Sequence, residues 1–288
     1  MRIGAVVVTY NRLDKLKKAL AAYENSTILP EYLVVVDNHS DDGTAEYLDV
    51  WKSTGPAEMK KEVITLPENT GGSGGFYTAL KRAAELPAEW IWVADDDAYP
   101  ERDCLEKLAA YRKAHPSERI AALCASVLTD GKVDTWHRRT LGKTVGIIRE
   151  RLVPAEAYIE PFRIDLYSFV GTLLRKSALK QAGLPNKDFF IAYDDSEHSL
   201  RVRKTGKIIC VPEARVIHDT IDADPDRITW KKYYAVRNKI YSYRKHFGAF
   251  QAGILAVHYL RKFGRHADAA EMIRDAVRDA REETLGKR

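Results

Sequence analysis

Trp90-Ile91-Trp92-Val93-Ala94-Asp95-Asp96-Asp97 passes directly from a continuous apolar run to three adjacent carboxylates. An apolar run without polar interruption is expected of a strand buried on both faces, as strands in a parallel sheet are. Four other runs share this texture, Ile3 to Val8, Leu33 to Val36, Val63 to Leu66 and Ile120 to Ala125, and helical patterns lie between them. Leu13, Leu16, Leu20 and Tyr23 share one helix face, and Phe76 to Leu86 and Asp103 to Ala114 are the next helical segments. The βαβαβ alternation predicts an α/β, Rossmann-like fold, whose ligands gather at the C-terminal ends of the strands.

Past Ser126 the texture becomes α+β. Asp130-Gly131 predicts a hairpin, Glu160 to Leu174 reads as extended, and Ser177 to Gly183 as a short helix with a glycine stop. Another helix opens near Tyr193, runs to about Thr205 and is closed by Gly206. Near the C-terminus Ala269, Met272, Ile273, Ala276, Val277 and Ala280 form a helical stripe before a charged tail.

The 288 residues are 45% hydrophobic and 30% charged, with a mean hydropathy of -0.37. One substantial core or two modest ones can be built, which excludes a stapled miniprotein and a disordered chain. No apolar stretch nears the ~18 residues a membrane span needs. Ile3 to Val8 is too short for a signal sequence and no small-residue cleavage site follows it, so cytoplasmic residence is the expectation. Cys104, Cys124 and Cys210 form no CxxC pair and encode neither a disulfide frame nor a zinc knuckle; they are expected to be reduced and structural. The net charge of +5 is local, because Arg227 to Ala267 holds ten Lys or Arg and no acid. Trp230, Tyr233, Tyr234, Phe250 and Phe263 are among the aromatics of that segment. The mixture suits a phosphate-bearing partner, peripheral attachment to the inner face of the cell membrane, or a homo-oligomer contact; the plainer alternative is a solvated helix face over core aromatics. No nucleic-acid motif accompanies the charge, so nucleic acid is not an expected partner.

Polar residues end each of the first four runs: Thr9-Tyr10-Asn11-Arg12, then Asp37-Asn38-His39-Ser40-Asp41-Asp42-Gly43-Thr44, then Asn69-Thr70-Gly71-Gly72-Ser73-Gly74-Gly75, then Asp95-Asp96-Asp97. In one sheet these loops converge on one edge. Three adjacent carboxylates repel one another unless a cation compensates, and hard oxygen ligands with a diphosphate completing the shell suit Mg2+ or Mn2+. Strand alternation would point Asp95 and Asp97 together and Asp96 oppositely; a solvated acidic turn is the alternative. The glycines match neither a Walker loop nor GxGxxG, which weakens ATPase and dinucleotide readings. They permit close approach to an anionic ligand at the N-terminus of a helix starting near Phe76, or else make a hinge or tight turn. Tyr193-Asp194-Asp195-Ser196-Glu197-His198 opens the later helix, where the acids either cap it or, at Asp195, offer a general base. His218, after Val216-Ile217, is by itself more readily a core histidine than a metal ligand.

Val7-Val8-Thr9-Tyr10-Asn11-Arg12, Val35-Val36-Asp37-Asn38 with Ser40 and Asp42-Gly43-Thr44, Asn69 with Gly71-Gly72 and Gly74-Gly75-Phe76, the Asp95 to Asp97 triplet and Asp194-Asp195 together resemble the family 2 inverting glycosyltransferases with the GT-A fold, over about residues 1 to 245. Asn-x-Gly-Gly-x-Gly-Gly-Phe, Tyr-Asp-Asp-Ser-Glu, His218-Asp219 and Tyr233-Tyr234 near Arg237-Asn238 are most similar to the galactofuranosyl and rhamnosyl transferase branch. The resemblance implies a mostly parallel central sheet with helices on both faces plus C-terminal helices. Residues 1–245 would form the transferase domain, 1–126 its nucleotide-sugar-binding half and 127–245 its acceptor-binding half, with 246–288 a helical extension. It implies that Thr9, Asn11, Arg12, Asp37, Asn69, Gly71, Gly72, Asp95 and Asp96 border the donor, that Asp95, Asp97 and His218 hold Mn2+ or Mg2+, that Asp195 is the catalytic base, and that Tyr193, Asp194 and Glu197 meet the acceptor. The implied donor is UDP-galactofuranose, with dTDP-rhamnose the alternative. The implied acceptor is a saccharide or a polyprenyl-diphosphate-linked glycan, which receives one or few sugars. A non-catalytic nucleotide-sugar-binding module is the alternative from another class. A nucleotidyltransferase would need a basic triphosphate loop, where Thr9 to Asp14 offers only Arg12.

Overall fold

Strand β1 (Ile3–Thr9) is buried along its whole length, and its alternating side chains feed two cores. Ala5 and Val7 share one core with Leu16, Leu20 and Tyr23 of helix α1 (Leu13–Glu24), while Val6 and Val8 share the other with Phe76, Ala79, Leu80 and Ala83 of α3 (Gly71–Glu85). Between these helices the chain forms β2 (Tyr32–Asp37), α2 (Thr44–Trp51) and β3 (Lys60–Thr65). β4 (Trp90–Asp95) repeats the alternation, with Trp90, Trp92 and Ala94 on the first face and Ile91 and Val93 on the second.

The computed structural model describes residues 1–220, 228–263 and 267–288, so Arg227 and Arg265 of the basic segment lie outside the described residues. After β4 follow β5 (Ala98–Pro100), α4 (Cys104–Ala114), β6 (Ile120–Thr129), β7 (Lys132–Val133), β8 (Arg138–Thr144), β9 (Ile147–Leu152), β10 (Phe162–Ile164), β11 (Leu166–Tyr167), β12 (Thr172–Arg175), α5 (Lys176–Ala182), α6 (Asp194–Val202) and β13 (Lys207–His218). Helices α7 (Trp230–Phe247), α8 (Ala249–Phe263) and α9 (Ala267–Glu282) close the chain. The main sheet runs β10-β13-β6-β12-β4-β1-β2-β3, with β5 on β13 and β7 on β6, and β11, β8 and β9 make a second sheet.

Several expectations change. The five apolar runs are strands, but β12 inserts between β4 and β6 and runs antiparallel to both, so the sheet is mostly rather than wholly parallel. β3 is an edge strand and only partly buried, because no strand covers its outer side. Glu160 to Leu174 breaks into β10, β11 and the start of β12 rather than one extended piece. α6 ends at Val202, and Gly206 is no helix stop; a Cβ there would stand 2.6 Å from the Arg119 carbonyl oxygen. The Asp130-Gly131 hairpin, with φ of 50° and 73°, joins β6 to β7, and Ala269, Ile273, Ala276, Val277 and Ala280 are buried as the stripe predicts. All three cysteines are free and buried. Of the basic, aromatic segment, Tyr233, Tyr234, Tyr243 and Phe263 belong to a third core under α7, α8 and α9, while Trp230 and Phe250 stay exposed. No helix among the described residues is long and apolar enough to cross a membrane.

α3 begins at Gly71, not near Phe76, so the glycines are its first turn rather than a loop before it. Packing requires Gly71 and Gly75. At Gly71, with φ of +72°, a Cβ would lie 1.9 Å from the Phe190 carbonyl oxygen; at Gly75 it would lie 2.5 Å from Val8 Cγ1. Overpacking of this kind costs about 1–3 kcal/mol, so Gly75→Ala should lower the thermal midpoint by several degrees. Gly72→Ala, whose Cβ meets nothing within 4 Å, should leave it unchanged or raised. Calorimetry of the two variants separates close packing from loop flexibility, and equal midpoints would contradict the packing account.

Candidate active site

The register of β5 on β13 builds the acidic corner. His218 pairs with Ala98, and the Asp219 N–H donates to the Asp97 carbonyl at 2.8 Å, which sets His218 Nε2 3.5 Å from Asp97 Oδ1. β4 ends at Asp95, and Asp96 and Asp97 form the turn into β5, so strand alternation does not govern where they point. Both reach one cation: Arg12 Nη1 is 3.2 Å from Asp96 Oδ1 and 2.7 Å from Asp97 Oδ2, while Thr9 Oγ1 donates to Asp96 Oδ2 at 2.8 Å. Arg12 thus supplies compensating charge to two of the three carboxylates.

The three carboxyls separate electrostatically. Burial, then the Asp97 and Asp96 charges, drive Asp95 well above the ordinary range, and Asp194 adds to the push. Burial lifts Asp96 to about 6 against the pull of Arg12. Burial acts the same way on Asp97, but His218, Arg12 and Lys15 outweigh it and hold that carboxyl low.

A pocket of about 260 Å³ opens at the ends of β1, β2 and β4, lined by Thr9, Tyr10, Arg12, Asn38, Asn69, Gly71, Gly72, Asp95, Asp96, Phe190, Ile191, Trp230 and Lys231. Asp37 is buried just beneath the end of β2; its Oδ1 accepts from the Ser40 N–H at 3.0 Å, and its Oδ2 is buried with no partner among the described residues. Asn11, at φ of 51°, does not line this pocket. It joins the first two strand-end loops, its N–H donating to Ser40 Oγ and its Oδ1 accepting from the Asp41 N–H, each at 2.9 Å.

Across from the triplet, the turn into α6 is strained. Phe190, Ala192 and Tyr193 hold φ of 64°, 70° and 69°, values that L residues keep only when their surroundings impose them. Asn238 imposes them: its Nδ2 donates to the carbonyls of Phe189, Ile191 and Ala192 at 3.0, 3.0 and 2.8 Å. Arg237, fully buried, adds a bond to Phe189 O at 3.0 Å. The turn presents Asp194 and Asp195 at the first turn of α6. Burial and the neighbouring Asp195 lift Asp194 to about 7; burial lifts Asp195 too, against the pull of Arg139 and the Ser196 hydrogen bonds. Arg139 also donates to Ser196 Oγ and pairs with buried Glu150, which accepts from the Tyr193 hydroxyl and from Lys239 at 3.0 Å.

Glu197 is not in the lining of the pocket and is engaged inside the protein. It lies between Arg201, 2.7 Å away, and His246, 2.9 Å away, and joins α6 to α7; although burial opposes them, the hydrogen bonds from these two partners bring it down to about 2.

The model for glycosyl transferase family 2 matches residues 5–183. The chain belongs to this family. It is 31% identical over 216 residues to the galactofuranosyltransferase GlfT1 of Mycobacterium tuberculosis, a match covering 71% of this chain and 65% of that protein. It is 25% identical over 254 residues to the dTDP-rhamnosyl transferase RfbF of Shigella flexneri, covering 84% and 80%. A mannosyltransferase from Pyrobaculum calidifontis, solved in complex with GDP-Man and Mn2+, superimposes with a TM-score of 0.58 at 18% identity, covering 98% of this chain and 75% of that one. The fold is GT-A.

The glycosyl transferase family 2 match stops before α6, β13 and α7, so Asp195, His218 and the clamp at Asn238 lie beyond it. Sequence reasoning missed Asn38, whose Nδ2 reaches Asn69 Oδ1 at 3.1 Å and the Gly71 carbonyl at 3.0 Å, although it stands inside a quoted strand-end loop. It also missed Phe190, Trp230 and Lys231 in the pocket, and Arg139 and Glu150 behind Asp195; only the basic, aromatic run carried a signal for Trp230 and Lys231. Each buried carbonyl stripped of its donor costs roughly 1–3 kcal/mol. Asn238→Leu should therefore lower the thermal midpoint by several degrees and abolish activity before the protein unfolds. An unaltered midpoint would show that the turn holds its strained backbone without Asn238.

Proposed function

We propose that this family 2 chain is an inverting glycosyltransferase that moves a sugar from a nucleotide-sugar donor to a hydroxyl of a saccharide or polyprenyl-diphosphate-linked glycan. The observation that carries the reading is the pairing of Asp97 with His218 beside the Asp95 and Asp96 lining of the strand-end pocket. Galactofuranose from UDP-galactofuranose is the favoured sugar, supported by the likeness to GlfT1, with rhamnose from a dTDP donor the second reading, supported by RfbF.

Thr9, Asn38, Asn69 and the Gly71-Gly72 backbone would border the donor, and the unpartnered Oδ2 of Asp37 offers an acceptor to a base N–H. Asp97 and His218, with Asp95 from the pocket lining, would hold Mn2+ or Mg2+. A carboxylate and an imidazole 3.5 Å apart suit a divalent ion, and a bound ion supplies charge neutralisation for the departing diphosphate. Arg12, already on Asp96 and Asp97, stands ready to turn to the phosphates. Asp195 would take the proton of the acceptor hydroxyl. The freed oxygen attacks the anomeric carbon, the bond from that carbon to the diphosphate oxygen breaks with its electron pair, and the configuration inverts. Tyr193 and Asp194 would flank the acceptor, and Arg139 favours the charged form of Asp195 against burial.

Incubation with a panel of UDP- and dTDP-sugars plus Mn2+, read as nucleoside diphosphate release, should single out one donor. Asp195→Asn should bind it unchanged while transfer falls by about 10²- to 10⁴-fold. Turnover within a few fold of wild type would remove Asp195 from the role. A carboxyl with a raised pKa is protonated, and useless as a base, below that value, so kcat/KM should fall as pH drops through a limb above the ordinary aspartate range. Asp194, which burial and the Asp195 charge lift to about 7, is neutral while Asp195 ionises, so Asp194→Asn should leave that limb in place; a limb that moves or vanishes would assign it to Asp194.

A further inference from the structure

Asp134, His137 and His218 bring their ligand atoms within 4.8 Å of one another, beside the donor pocket rather than in its lining. Asp134 and His137 belong to the 3-10 turn that follows the β6–β7 hairpin. The Asp134 N–H is tied to the Val127 carbonyl at 2.8 Å, and Val127 pairs with Val216 of β13, so turn and strand end are held to one frame.

His137 Nε2 stands 3.3 Å from Asp134 Oδ2. A tetrahedral ion with bonds of about 2.0–2.1 Å holds neighbouring ligands roughly 3.3 Å apart. Both groups carry outer partners that fix their direction: Ser168 Oγ lies 2.7 Å from His137 Nδ1, while Thr129 Oγ1 and the Trp136 N–H donate to the Asp134 carboxylate at 3.2 and 3.0 Å. His218 Nδ1 is buried and has no partner among the described residues, and its ring meets that of His137 edge-on at 5.0 Å.

We propose that Asp134, His137 and Nδ1 of His218 form a second cation centre, for a zinc-type divalent ion. Two imidazoles and one carboxylate, with a fourth position open to water, favour zinc over magnesium or manganese. The shared ring makes the centre inhibitory. A neutral imidazole has one lone pair; zinc on Nδ1 leaves Nε2 as an N–H donor toward Asp97, so His218 cannot at the same time ligate the donor's cation. A neutral His137 that ligates through Nε2 carries its single proton on Nδ1, toward Ser168 Oγ.

Cobalt(II), titrated into the nucleotide-free protein as a coloured stand-in for zinc, tests the centre. Wild type should show the visible bands of a tetrahedral ion, bleached by zinc. His137→Gln and Asp134→Asn should each weaken the site by at least about tenfold, with Asp134→Asn retaining the cap on Trp136 should the first variant fold poorly. Asp97→Asn should keep the bands, because Asp97 is no ligand of this centre. Absent bands in wild type, bands unaltered in both variants, or bands lost with Asp97→Asn would each overturn the proposal. The cobalt readout uses no donor, so its failure leaves the transferase reading standing.

Discussion

Pairing of β5 with the end of β13 is the constraint from which the chemistry of this protein follows. It carries an imidazole from the far end of the sheet to an acidic turn that would otherwise be compensated by Arg12 alone. Buried carboxylates are costly unless paired. Here the cost is met unequally: His218, Arg12 and Lys15 hold the Asp97 carboxyl low against burial, whereas burial and the two neighbouring carboxylates drive Asp95 toward its neutral form. An edge so divided accepts positive charge readily.

A second constraint lies on the opposite wall. Three residues in a left-handed backbone would relax if left alone, and the side chains of Arg237 and Asn238 prevent it by occupying the carbonyls of residues 189, 191 and 192. This explains the position of the aromatic core of α7, α8 and α9. It anchors the helix that carries the clamp, and through Lys239 it reaches the Glu150 and Arg139 network behind Asp195. Much of the basic segment thus supports the site from within, while Trp230 and Lys231 reach the pocket itself.

The strands and the polar loops that end them were legible because an unbroken apolar run and an abrupt change of polarity are local properties. The insertion of β12 was not, since antiparallel pairing with two distant strands leaves no mark in the sequence of either. The glycines of α3 were legible as a place of close approach, but what approaches them, Phe190 and Val8, is set by tertiary packing. Glu197 misled because a carboxylate at a helix start looks the same whether it faces a ligand or, as here, a buried His246 and Arg201. His218 carried too little signal alone and became readable only through its resemblance to a family position; His137 and Asp134 carried none.

The most direct measurement is anomalous diffraction at the manganese edge from crystals grown with UDP and Mn2+. A peak bonded to Asp97, to Nε2 of His218 and to the diphosphate is the result this account requires. Nucleotide bound in the strand-end pocket with no manganese at Asp97, or manganese held elsewhere, would contradict it.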